Sequence, residues 1–103
     1  MKLNIAILED NSLHYQTLSS FINLWAEKKG HLVQIQHFQK GIDIINFECI
    51  NSYHLLFSDI ELNGNNSECT NDYLNGLNVC SALRNNGFSG DIVFFNSLSR
   101  VCI

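Results

Sequence analysis

Two short apolar runs in this chain each end on acidic residues, and that pairing constrains the fold more than any other feature. The first is Leu3-Asn4-Ile5-Ala6-Ile7-Leu8, followed by Glu9-Asp10. The second is His54-Leu55-Leu56-Phe57-Ser58, followed by Asp59. A short apolar run bounded by polar residues reads as a strand buried on both faces, as in a parallel sheet. Open parallel α/β sheets bind ligands beyond the carboxyl ends of their strands. If the two strands are neighbours, Glu9, Asp10 and Asp59 meet at that end. Three carboxylates with no base nearby repel one another, and such a cluster calls for a divalent cation.

The rest of the chain supplies the elements that such a sheet needs. After the first strand, residues 3–8, Asn11 and Ser12 offer helix N-caps. Leu18, Phe21, Ile22 and Trp25 then fall at i, i+3, i+4 and i+7, one apolar face of a helix. Lys28-Lys29-Gly30 carries two stop signals, cations in the last turn and a following glycine. Leu32, Val33, Ile35 and Phe38 mark a second strand, and the interleaved Gln34, Gln36 and His37 place it at or near a sheet edge. Lys40-Gly41 opens a short second helix carrying Ile42, Ile44, Ile45 and Phe47. The third strand is residues 54–58, and the Asn-rich stretch over residues 63–72 reads as a loop. Leu77, Cys80 and Leu83 give a third helix ending at Asn85-Asn86-Gly87, and Ile92-Val93-Phe94-Phe95 a fourth strand. Strands alternating with helices imply a parallel sheet with helices on both faces. The helix stripes, by this reading, are core.

Composition narrows the functional classes. At 103 residues the chain is one domain or part of one, and 46% apolar residues suffice for a core. The net charge is −4, and the six Lys and Arg form no basic stripe, which argues against direct nucleic-acid binding. No apolar run approaches a membrane span, and the acids at Glu9-Asp10 arrive too early for a signal peptide, so a cytoplasmic protein with no membrane partner is expected. Cys49, Cys69, Cys80 and Cys102 form no Cys-x-x-Cys pair and read as reduced thiols, Cys80 as a buried one. A zinc site drawing on His14, His31, His37 or His54 finds no support in their spacing, and His14 and His54 read as surface and structural residues.

Taken in order, these pieces resemble the receiver domain of bacterial two-component response regulators. The resemblance covers about residues 2–97. It rests on Glu9-Asp10 after the first strand, Asp59 after the third, Gly76-Leu77 opening the third helix with Arg84 near its end, and the apolar fourth strand. Phe57-Ser58-Asp59-Ile60-Glu61-Leu62 resembles receivers that carry a LytTR-type DNA-binding output. The resemblance implies a flavodoxin-like three-layer α/β sandwich with four parallel strands in the order 2-1-3-4. It implies that Asp59 is a phosphoacceptor, taking a phosphoryl group from a phosphohistidine on a sensor histidine kinase. Asp10 would hold Mg²⁺ directly and Glu9 through water, with Asp59 and the backbone carbonyl of Glu61 as further oxygen ligands. Mg²⁺ prefers a few carboxylates plus waters and phosphate oxygens, and phosphoryl transfer needs its charge. Such a chain is a signalling domain and not a turnover enzyme, and any transcriptional output requires a separate DNA-binding domain.

The sequence departs from the family in three places. Residues 63–73 form a longer, proline-free insertion beside the expected site. The position after the fourth strand, where the family has a switch Thr or Ser, holds Asn96, with Ser97 one residue on. The chain reaches Ile103 before the family's fifth strand and helix, and no Lys follows Lys40 to pair with the phosphoacceptor, so the receiver reads as truncated. That leaves the fourth strand as an exposed edge through which two copies could form a homodimer. The tail over residues 96–103 loses the family pattern abruptly. A one-base shift of frame within Phe95, with one permitted codon choice, restores Leu-Thr-His-Phe-Pro-Glu-Tyr-Val-Phe.

Other readings stand beside this one. Glu9-Asp10 would serve as a helix cap, and Asp59 as an ordinary strand-end acid. A degenerate, non-switching receiver would act as a dimerisation or kinase-sequestering module. A Mg²⁺-dependent phosphohydrolase would want Asp-x-Asp after the first strand, whereas Asp59-Ile60-Glu61 follows the third and lacks the second Asp.

Overall fold

The first apolar run forms strand β1, Lys2–Leu8, whose side chains divide between the two faces of a sheet. Ile5 and Ile7 pack with Ile22 on one face, and Ala6 and Leu8 join a second cluster on the other. Ile5, Ala6, Ile7 and Leu8 are all fully buried, which is why this stretch is apolar at every position instead of alternating. The structure is a computed structural model and describes residues 2–59 and 76–95.

Helix α1, Ser12–Lys29, starts where the sequence places its cap. Asn11 has an extended backbone, and its side-chain oxygen accepts hydrogen bonds from the N–H groups of Leu13 (2.9 Å) and His14 (3.0 Å). Two of the four orphan donors of the helix are thereby satisfied. The helix ends at Gly30, which is left-handed at φ 75°, and the His31 N–H closes back onto the Ala26 carbonyl at 2.9 Å.

Strand β2, Leu32–Phe38, runs parallel to β1 in unbroken register from Lys2↔Leu32 to Leu8↔Phe38. Helix α2, Gly41–Ile45, is shorter than the sequence predicts. Phe47 lies beyond it, before a 3-10 helix at Glu48–Ser52, and its ring sits between Phe38 and Tyr53, at centroid distances of 5.2 and 5.7 Å. Strand β3, Leu55–Asp59, includes Asp59 as its last residue instead of leaving it just outside. Helix α3, Gly76–Asn85, and strand β4, Asp91–Phe95, complete the described fold.

The sheet is wholly parallel, in the order β2-β1-β3-β4. Helix α1 covers the Ile5/Ile7 face; α2 and α3 cover the other with Ile44, Val79, Cys80 and Leu83. This is the flavodoxin-like three-layer sandwich. From β1 the chain crosses to β2 on one side and then returns to β3 and β4 on the other. The gap between β1 and β3 is therefore the topological switch point, where such sheets bind ligands.

The helix stripes are only partly core. Of the α1 stripe, Ile22 is buried, whereas Phe21 and Trp25 remain 65% and 43% exposed. On α3, Cys80 and Leu83 are buried but Leu77 is half exposed. Phe21 and Trp25 line an open apolar groove with Leu55 and Phe57 of β3, and Leu77 lines another with Ile92 and Phe94 of β4, so these flanks border sheet that no other described element covers. Strand β2 is an edge, as its interleaved polar residues predict, and β4 is the other edge of the described sheet.

Candidate metal centre

Register brings the acids together. β1 and β3 are hydrogen-bonded neighbours, and Leu8 lies opposite Ser58. The next residue on each strand, Glu9 and Asp59, therefore emerges at the same sheet end. One carboxylate oxygen from each of Glu9, Asp10 and Asp59 lies within 4.8 Å of the other two. Glu9 and Asp59 are completely buried and Asp10 is half-buried.

Glu9 is held by three hydrogen bonds. Its N–H donates to the Phe38 carbonyl at 3.0 Å. Its carbonyl accepts from His37 Nε2 at 2.8 Å, and because a carbonyl can only accept, that ring nitrogen carries the hydrogen. The His37 ring lies flat on Tyr15, 3.7 Å between centroids and 2° between planes. Glu9 Oε2 accepts the Asn11 N–H at 3.0 Å, while Oε1 is buried with no hydrogen-bond partner. The helix cap is thus Asn11, and the Glu9 carboxylate points into the acidic group instead of capping α1.

An orphaned buried carboxylate oxygen is costly, and a cation is what such an oxygen accepts. Burial pushes the Glu9 carboxyl up from 4.5 to about 7. The Asn11 N–H works against this by stabilising the charged form, and the neighbouring carboxylates of Asp59 and Asp10 add to the rise. The donor set is oxygen-rich, anionic and gathered at a strand end, which fits a hard divalent ion.

The floor of the site is equally tight. The Ser58 hydroxyl donates to the Asp59 carbonyl at 3.3 Å. Gly76, the first residue of α3, packs so closely on that carbonyl that a Cβ would collide with it and would come within 2.8 Å of Ser58 Oγ. Burial also raises the Cys80 thiol, opposed by Ser58 and Arg84, so that this cysteine remains a neutral core residue.

Two residues at the site were not legible as site residues in the sequence. His37 holds the Glu9 main chain from β2, which only the β1–β2 register reveals. His14 is not a detached surface residue: its Nδ1 is buried, has no hydrogen-bond partner, and lies 3.6 Å from Glu9 Oε2. The available signal was its place on the third helical residue after the cap, since helical side chains tilt toward the N-terminus and so toward the strand ends. His54 behaves as expected, exposed at the opposite end of β3 and accepting the Asn4 N–H at 3.0 Å. Among the described residues no cysteine or histidine joins a metal-binding group of three or more. Cys49 and Cys80 are both free thiols.

Glu61, Asn96, Ser97, Cys69, Cys102 and the 63–73 insertion lie outside the described residues. No helix among the described residues is long and apolar enough to cross a membrane. No protein-family model matches the chain, and a search of curated proteins finds no match.

Proposed function

We propose that this chain is a response-regulator receiver domain in which Asp59 accepts a phosphoryl group from a sensor histidine kinase. The observation that carries the reading is the convergence of Glu9, Asp10 and Asp59 within 4.8 Å at the carboxyl ends of adjacent strands. An Asp59 oxygen attacks phosphorus, the P–N bond to the kinase imidazole breaks, and the imidazole leaves with the bonding pair. Asp10, Glu9 and Asp59 would hold Mg²⁺, and Mg²⁺ supplies the positive charge that offsets the phosphoryl oxygens. The chain's own contribution is placement. The β1–β3 register sets Asp59 beside Glu9, the His37 and Phe38 contacts fix the Glu9 main chain, and Gly76 packs on the Asp59 carbonyl. In this reading the protein works in the cytoplasm, with Glu61 as a further oxygen ligand and Asn96 or Ser97 as the switch.

Intact mass after incubation with Mg²⁺ and acetyl phosphate tests the proposal, with Asp59→Asn alongside. The expected result is a single phosphoryl adduct on the parent protein, lost with chelator and absent from the variant. No adduct on folded protein overturns it.

One feature favours a second reading, a non-switching module that forms a homodimer through β4. Val93 and Phe94 are each 41% exposed on β4, which lies at the edge of the described sheet although its apolar run resembles that of a central strand. Sedimentation that shows a dimer in the parent and a monomer in Val93→Lys, with no phosphoryl adduct on either, would select it.

A further inference from the structure

We propose that the exposed apolar flank of α1 is an interface for a second copy of this chain, with the two α1 helices antiparallel across a two-fold axis. At about 100° per residue, the apolar side chains of α1 from Leu13 and Leu24 round to Ala26 span an arc of about 220°, against the roughly 100° that one core-facing stripe needs. The sheet uses one side of that arc, where Ile22 and Ala26 are buried and Tyr15 and Leu18 pack on the core. The other side carries Leu13, Phe21, Leu24 and Trp25, which are 68%, 65%, 50% and 43% exposed.

This flank is self-complementary. It borders an open apolar groove of about 300 Å³ between α1 and β3, lined by Ile5, Leu18, Phe21, Trp25, Leu55 and Phe57. Phe21 and Leu24 protrude beside it, so one surface offers both the knobs and the hole, as an isologous two-fold contact requires. The area is sufficient as well. At about 200 Å² for a large side chain, the exposed parts of Leu13, Phe21, Leu24 and Trp25 amount to about 450 Å² of apolar surface per copy. With roughly 60% of an interface apolar, that corresponds to about 750 Å² per copy, close to the ~800 Å² of a standard stable interface.

Charge sets the direction of the pairing. Lys28 and Lys29 are exposed in the last turn of α1, and the acidic group of Glu9, Asp10 and Asp59 lies beside its first turn. With α1 roughly 27 Å long, the antiparallel arrangement carries the lysines of each copy to the acidic end of the other and sets the two helix dipoles head to tail. A parallel arrangement would stack lysines on lysines and acids on acids. The contact uses only the placement of these charges, and it holds whether or not Asp59 accepts a phosphoryl group.

Sedimentation velocity and tryptophan emission of the full chain over a dilution series test this, with Phe21→Lys, Leu24→Lys and Phe94→Lys alongside and far-UV circular dichroism to confirm folding. Trp25 is the only tryptophan in the chain, so its emission reports the flank directly. The expected result is a dimer whose Trp25 emission moves to the red on dilution. Association should weaken about tenfold or more in Phe21→Lys and in Leu24→Lys. It should persist in Phe94→Lys, because Phe94 lines the groove on the α3 face of the sheet. A parent that is monomeric at every concentration overturns the proposal, whether Trp25 then emits as an exposed indole or as one covered by another part of its own chain. A dimer that survives both α1 variants in folded form also overturns it, and loss of that dimer in Phe94→Lys would assign the pairing to β4.

Discussion

The carbonyl of Glu9 and the Nε2 of His37 are joined by a 2.8 Å hydrogen bond that ties the end of β1 to the end of β2. With the Glu9 N–H on the Phe38 carbonyl, the residue is gripped on both sides of its Cα. The Glu9 carboxylate therefore enters the acidic group from a fixed main chain, which reduces the ordering cost that ion binding would otherwise incur.

His37→Phe keeps an aromatic ring against Tyr15 but removes the bond to Glu9. The fold is expected to lose about 1 kcal/mol, the net worth of one hydrogen bond. Divalent-ion affinity should fall about tenfold, as for other outer contacts that orient ligands. Urea unfolding and a metal titration read the two effects separately.

Stability without metal is expected to decline as pH rises from about 4.5 to about 7. Glu9 binds its proton more tightly in the native state, with a carboxyl raised to about 7 from 4.5. Its contribution is fully present below the unfolded value and is lost as pH passes through the folded one. The full shift corresponds to about 3 kcal/mol. Urea midpoints across this range in chelator check it, with Glu9→Gln expected to flatten the slope and saturating Mg²⁺ to reverse it.

Asp59→Asn removes a carboxylate that pushes Glu9 up. The metal-free protein should gain about 1 kcal/mol at pH 7.5, because one buried repulsion disappears. Metal affinity should fall at the same time. Opposite changes in urea midpoint without and with Mg²⁺ are the signature; a variant less stable in both conditions would contradict it.

Gly76→Ala should destabilise the fold by about 2 kcal/mol, because the added methyl has nowhere to go. It would meet the Asp59 carbonyl and Ser58 Oγ, the first of which is backbone and cannot swing aside. Relief requires α3 to shift from β3, so the variant should also weaken metal binding. Gly30→Ala is a useful contrast. Its Cβ meets nothing within 4 Å, so its cost comes only from the left-handed backbone at φ 75°, about 1 kcal/mol.

Asn11→Ala removes the acceptor for the Leu13 and His14 N–H groups. A loss of about 1 kcal/mol is expected from the missing cap. Asn11→Asp should retain most of the stability, because it keeps the accepting oxygen, and thermal unfolding of the pair separates these outcomes.

Element identity was legible because each signal is local. The β1 run is apolar at both parities, and burial on both faces demands that. Asn11 and Gly30 announce the ends of α1 through side-chain and backbone chemistry that needs no partner. The limits of α2 were not legible, because Ile42, Ile44, Ile45 and Phe47 are apolar whether Phe47 continues a helix or turns to meet Phe38 and Tyr53. The exposure of Phe21 and Trp25 was equally hidden: periodicity marks a face, and which elements come to cover that face is decided by tertiary packing.

The sequence by itself determined the alternation of strands and helices, the caps of α1, and the placing of Glu9, Asp10 and Asp59 at strand ends, since all three follow from local pattern and backbone chemistry. Tertiary structure decided the rest of the centre. Only the pairing of β1 with both β2 and β3 sets Glu9 beside Asp59 and under His37, and only the angle at which α1 leaves the sheet carries His14 Nδ1 to 3.6 Å from Glu9. Contacts between residues distant in the chain depend on register and helix placement, which are properties of the packed whole and not of any one segment.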